Sequence, residues 1–356
     1  MKKLLSILGA MILIGTISTS VIACNGGDKP SPTPVPPVQP EFQKVSGWTE
    51  TNGAIVSLVN VNNDLYAGTK TADDKGKLFK ITSAGTVSEI TNWTETNGAI
   101  VSLVNVNNDL YAGTVTDING NKGKLFKITS AGTVSEITNW TENNGAIVSL
   151  VNVNNDLYAG TVTDINGNKG KLFKITSAGT VSEITNWTKT NGAIFSLVNV
   201  NNDLYAGTKT ANYKGKLFKI TSAGTVSEIT NWTENNGAIV SLVNVNNDLY
   251  AGTKTANYKG KLFKITSAGT VSEITNWTEN NGAIVSLVNV NNDLYAGTWT
   301  ANYKGKLFKI TGAGTVSEIT NWTENNGAIV SLVNVNNDLY AGTWTANNKG
   351  NLYVKS

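Results

Sequence analysis

The ten residues "NVNNDLYAGT" beginning at Asn60 return unchanged at Asn105, Asn152, Asn199, Asn244, Asn289 and Asn334, which restricts the chain to folds built by repetition. A shared "GAI" marks the copies at Gly53, Gly98, Gly145, Gly192, Gly237, Gly282 and Gly327, with spacings of 45, 47, 47, 45, 45 and 45 residues. A unit of that size cannot bury its own apolar face, so neighbours must stack. The period admits a solenoid, a propeller or an array.

Each copy reads as four short strands. "AIVSLVNV" from Ala54 is apolar on both faces and suits the most buried position. "DLYAGT", "KLFKIT" and "TVSEIT" alternate and are rich in β-branched and aromatic residues. Turn signals separate them: "NND", then "ADDKG" or a variant, then "SAG", then "NWTETNG" into the next copy. No helical period is sustained, so the expected class is all-β. Four antiparallel strands of graded burial make a propeller blade.

The ends of the chain favour a closed ring. "KVSGW" before the first "GAI" aligns with the later "EITNW", so the chain opens on a fourth strand. The last copy stops at "GNLYVKS", aligned with "GKLFKIT", and so ends on a third strand. Residues near Phe42 are therefore expected to complete the seventh blade and remove the free edge. The expectation is a seven-bladed β-propeller over residues 41–356.

"NDLYAGT" followed by "GKLFKIT" resembles the blades of regulator-type and related bacterial propellers, whose second strand reads "DLWIGT". The likeness covers all seven copies and implies the same fold without naming a ligand. Trp48, Trp93, Trp140, Trp187, Trp232, Trp277 and Trp322 stand once per blade just after the fourth strand, a position that suits wedges between blades better than stacking platforms.

Residues 1–23 form an apolar leader headed by Lys2 and Lys3, and its end, "VIAC", resembles the bacterial lipobox. That resemblance implies cleavage before Cys24 and a lipid on its thiol, with acyl chains such as palmitate anchoring the protein to the outer side of a membrane. Residues 24–40 hold the six prolines, Pro30, Pro32, Pro34, Pro36, Pro37 and Pro40, and read as a polyproline II stalk. With the Lys-only basic set and the Asn-rich repeats, the leader makes the chain similar to surface lipoproteins of wall-less mollicute bacteria.

Composition excludes several classes. Every basic residue is lysine, and the net charge of +3 falls to +1 once Lys2 and Lys3 are set aside, so nucleic acid is not an expected partner. Histidine is absent and Cys24 is the single cysteine, which removes the usual acid–base residue and the His/Cys metal sites. No cofactor is expected, and no enzymatic activity.

The copies differ on one side. The loop between strands one and two is "NND" throughout, and that between three and four is "SAG" save for Gly312. The stretch leaving strand two changes: "KTADDKG" from Lys70, "VTDINGNKG" from Val115 and Val162, "KTANYKG" from Lys209 and Lys254, "WTANYKG" from Trp299, and "WTANNKG" from Trp344. The connection into the next blade also drifts, with Lys189 in one copy. In a four-stranded blade these two loop classes emerge on the same face, which fits recognition on a rigid scaffold. The candidate ligand-binding residues are Trp299, Trp344, Tyr213, Tyr258, Tyr303, Lys209 and Lys254. Rings beside amides and ammonium groups suit a glycan or a host surface protein.

Two features bear on chemistry. Asp117, Asn119 and Asn121, and likewise Asp164, Asn166 and Asn168, have the alternate-oxygen spacing of a calcium loop, but Ile128 and Ile175 replace the distal bidentate Glu. A plain Asn-Gly turn is the better reading. A hydrolase would need two singular carboxylates, and Glu89 or Glu136 recurs in six of the seven blades, whereas the one unique pair, Asp73 and Asp74, lies in a turn. The expected role is adhesion or recognition by a membrane-anchored surface protein. The rivals are a passive coat or size-variable antigen and, more weakly, a glycan-acting hydrolase.

Overall fold

The computed structural model describes residues 42–117, 121–164 and 166–355. The leader, Cys24, the proline stalk and Asn119 lie outside these residues. Within them the chain forms seven antiparallel four-stranded sheets, each a blade of one ring.

Blade one shows the pattern. Its strands are β2 (Ala54–Val61), β3 (Asp64–Lys70), β4 (Leu78–Ile81) and β5 (Val87–Glu89), paired in chain order. The tight turn between β2 and β3 places Asn62 and Asn63 at φ 52° and 70°, where asparagine is among the least strained non-glycine residues. The Asn63 N–H donates to Asn60 Oδ1 at 3.0 Å. Thr69, fully buried, holds the base of the opposite loop: its Oγ1 donates to Lys77 O at 3.2 Å and accepts the Lys77 N–H at 3.0 Å. Each "DLYAGT" therefore ends in a brace that fixes where the variable loop departs.

The core is seven layers between blades. One layer joins Val61 and Leu78 of blade one to Trp93, Ile100, Leu103, Leu110 and Phe126 at the entry to and within blade two. The repeated tryptophans are the wedges expected: Trp93 is 4% exposed, its ring lies 4.9 Å edge-on from Phe126, and its Nε1 donates to Gly76 O at 3.1 Å. Six of the seven indoles make this bond to a glycine carbonyl; among the described residues Trp187 does not. The first strands are also stitched around the ring axis by serine, as where the Leu103 N–H donates to Ser57 Oγ at 2.9 Å.

The ring closes as the sequence predicts. Strand β1 (Gln43–Lys44) pairs antiparallel with the last strand, Leu352–Lys355, with Gln43 opposite Val354 and Lys44 opposite Tyr353. Trp48 Nε1 donates to Gly350 O at 3.0 Å, and the Phe42 ring lies 5.3 Å edge-on from Trp322. Leu58 N–H donates to Ser331 Oγ at 2.9 Å, so the serine stitch crosses the seam as well.

Candidate functional site

The second strand of each blade ends beside the start of the first, as Trp299 pairs with Ala283 and Trp344 with Ala328. The connection from the preceding blade arrives at the same end, where a Cβ on Gly192 would meet Lys209 O at 2.6 Å. The two variable loop classes therefore share one face, and the "NND" turns lie at the far ends of the strands.

On that face the seven candidate residues form one continuous arc across blades four to seven. Lys209 Nζ lies 5.1 Å from the centre of the Tyr213 ring. Lys254 Nζ lies 6.0 Å from Tyr213, 4.8 Å from Tyr258 and 5.1 Å from Trp299. Trp299 stands 5.8 Å from Tyr258, 5.7 Å from Tyr303 and 5.5 Å from Trp344, and Tyr303 stands 6.3 Å from Trp344. Interplanar angles of 32–42° make the rings a tilted series and not a closed stack.

The three tyrosines are the exposed large apolar side chains among the described residues, at 38–39%. Each sits in the left-handed region at φ 56°, directly after an asparagine that is also left-handed. The equivalent positions in blades one and seven are Asp74 and Asn348, residue types that tolerate this backbone far better. Placing a bulky ring there costs on the order of 1 kcal/mol or more. The sequence accepts that cost in three adjacent blades, and in each the ring joins the arc.

Burial drives both Lys209 and Lys254 below the ordinary lysine value. The Lys209 charge pushes Lys254 further down, whereas Asp164 partly offsets the effect on Lys209. Lys209 Nζ also donates to Asn166 O at 2.9 Å. Among the described residues no carboxylate pairs with Lys254.

Two residues outside the candidate set belong to this site. Phe195 lies 6.0 Å from Lys209 Nζ and is the one departure from "AIVSLVNV" among the seven first strands, a signal that was open to reading. Asn166, a candidate calcium ligand, accepts the lysine with its backbone oxygen. Phe195, Asn166, Gly167, Val148 and Lys209 line a cavity of about 260 Å³, and Lys209, Asn212, Tyr213 and Asn168 line an adjoining one of about 570 Å³.

The described part of the second calcium-like loop behaves as a turn. Asp164 Oδ1 accepts the N–H groups of Asn168 and Lys169, both at 2.7 Å, and the Gly167 N–H donates to Asp164 O at 2.9 Å. The Asn168 amide, with its nitrogen turned toward them, donates to Thr210 O at 3.0 Å and Asn166 O at 3.3 Å. Asp117 is bridged to Lys122, and Asn121 adopts φ 50°. No group of three metal-ligating side chains occurs among the described residues.

No family model matches the chain, and no curated protein matches it. Solved structures do. A streptogramin B lyase structure is similar with a TM-score of 0.67 at 17% identity, covering 88% of this chain and 97% of that one. A catalytically inactive histidine-to-alanine variant of virginiamycin B lyase from Staphylococcus aureus, with quinupristin, gives 0.69 at 17%, covering 89% and 99%. A chain of a mitotic checkpoint complex gives 0.61 at 11%, covering 96% and 99%. At these identities the shared property is the propeller fold.

Proposed function

We propose that this chain is a non-enzymatic binding protein, held at a bacterial surface through a lipid on Cys24, that recognises a glycan or a host surface protein with the arc from Lys209 to Trp344. The observation that carries the reading is the set of three tyrosines held in left-handed backbone on one face. A neutral loop would return to asparagine or aspartate, as blades one and seven do, whereas a binding face retains strained rings. Aromatic faces flanked by ammonium and amide groups provide stacking and directed hydrogen bonds together. Similar blades side by side, and many copies on one membrane, multiply a modest single-site affinity.

Against catalysis stands the residue inventory. In the S. aureus lyase, replacing a histidine accompanies inactivity. The present chain contains no histidine, and the carboxylate pair unique to blade one, Asp73 and Asp74, lies in a turn where Lys70 holds Asp74 at 2.6 Å. The alternative reading, a coat or size-variable antigen, has the near-identity of the copies behind it.

The test is binding of residues 41–356 to a glycan array and to immobilised host-cell extracts, compared with the Trp299→Ala, Trp344→Ala double variant. Binding by the parent and its loss in the variant support the recognition reading. Absence of binding by the parent favours the coat, and equal binding by both removes the arc as the site.

A further inference from the structure

The copies contain an internal comparison that specifies the charge of the ligand. In blade one the last residue of the second strand, Lys70, meets Asp74 of its own loop in an ion pair at 2.6 Å. In blades four and five the equivalent lysines are Lys209 and Lys254, and where Asp74 stands the chain has Tyr213 and Tyr258. The cation is retained and its internal counter-ion is exchanged for a ring. A second charge change falls beside it. The connection into a blade carries Glu50, Glu95, Glu142, Glu234, Glu279 or Glu324, but Lys189 on entering blade four, in a turn that ends at Gly192 against the Lys209 backbone.

Resting on the recognition reading above, we propose that the arc takes an acidic saccharide, its carboxylate received at Lys254 and Lys209 and its sugar ring laid against Tyr258 and Trp299. The nearest internal anion does not fill that place. Asp164 acts on Lys209 through space, but its Oδ1 is engaged by the Asn168 and Lys169 N–H groups. Lys254 has rings on its sides at 4.8, 5.1 and 6.0 Å and no carboxylate partner among the described residues. An ammonium removed from water and flanked by π faces gains most from a carboxylate that arrives with an apolar ring face attached. Phosphate alone lacks that face, and a neutral sugar leaves the charge unmet.

The test is titration of residues 41–356 with uronic-acid and sialylated oligosaccharides, their neutral counterparts, an acidic peptide and inorganic phosphate. Lys254→Met, Tyr258→Asp and Lys70→Met are run alongside, with thermal melting to confirm folding. The proposal expects the acidic sugars to bind about tenfold tighter than the neutral ones, a preference worth one charge-assisted contact. Lys254→Met should abolish the preference. Tyr258→Asp, which restores the internal pairing of blade one, should do the same in a folded protein, and Lys70→Met should leave it intact. Equal binding of acidic and neutral sugars overturns this inference while leaving the recognition reading in place. Preferred binding of the peptide or of phosphate also overturns it, and no binding of any probe or host extract removes both.

Discussion

Leu58 and Ser331 are joined by a 2.9 Å hydrogen bond across 273 residues of sequence, the same contact that Leu103 makes with Ser57 between ordinary neighbours. The seam of the ring is thus chemically equivalent to its other interfaces at the inner strands. The difference lies outside, where a two-residue strand, Gln43–Lys44, stands in for the three-residue fourth strands such as Val87–Glu89.

That difference sets the response to truncation. Removing residues 42–48 takes away Trp48, which is 3% exposed, and bares the edge of Leu352–Lys355. A loss of about 3–5 kcal/mol is expected from the buried indole, as for Trp→Ala in a core, together with concentration-dependent association through the open edge. Chemical denaturation and sedimentation check both; an unchanged melting point with a monomer would show that closure is dispensable.

The blades interlock through glycine at the centre of the second strand. A Cβ on Gly207 would lie 2.3 Å from Ile239 Cγ2 of the next blade, and Ile239 is fully buried. Gly207→Ala is expected to destabilise by about 1–3 kcal/mol through overpacking. Gly312→Ser, which restores the residue of the other copies in open space, should change the denaturation midpoint little.

Blade seven contains a carboxylate without its usual partner. Six blades pair the first residue of the second strand with a lysine of the third, as Asp64 with Lys80 at 2.8 Å, but Val354 stands where Asp338 would find one. Burial raises Asp338 above the ordinary carboxylate value, whereas the Lys80 hydrogen bond lowers Asp64. Val354→Lys is expected to add about 0.2–1 kcal/mol at neutral pH, and the gain should shrink in high salt. A gain that persists in acid, where Asp338 is protonated, would refute the pairing.

The two lysines of the arc give a signature at high pH. Both sit below the ordinary value of 10.5 in the folded state, so between the lowered values and 10.5 the unfolded chain binds more protons. Stability contributed by these groups therefore rises with pH across that window and is at its least where both are charged. Denaturation of the parent and of Lys209→Met, Lys254→Met over alkaline pH should show the larger rise in the parent, the part due to Lys355, which burial also lowers, being common to both.

The fold was legible because repetition displays the strand pattern seven times and the ends of the chain, "KVSGW" and "GNLYVKS", show which strand is missing. The varied face was legible for the same reason: identical turns such as "NND" isolate the loops that differ. Less of the site was readable, because its contacts run between blades. Phe195 is a single-letter change whose meaning appears only when Lys209, fourteen residues on, folds back beside it. Asn166 carried the spacing of a metal ligand, yet its backbone oxygen holds a lysine. The exchange of Asp74 for Tyr213 and Tyr258 was visible in the letters, but its electrostatic sense depends on the 2.6 Å pair that only the structure displays.

The central claim, that the varied face and not the uniform one receives the ligand, is tested most directly by hydrogen exchange with and without the best-binding glycan or host protein. Slowed exchange is expected in the loops at Lys209–Tyr213, Lys254–Tyr258 and Trp299–Tyr303, with the turns at Asn201–Asn202, Asn246–Asn247 and Asn291–Asn292 unchanged. Protection confined to those asparagine turns would contradict it.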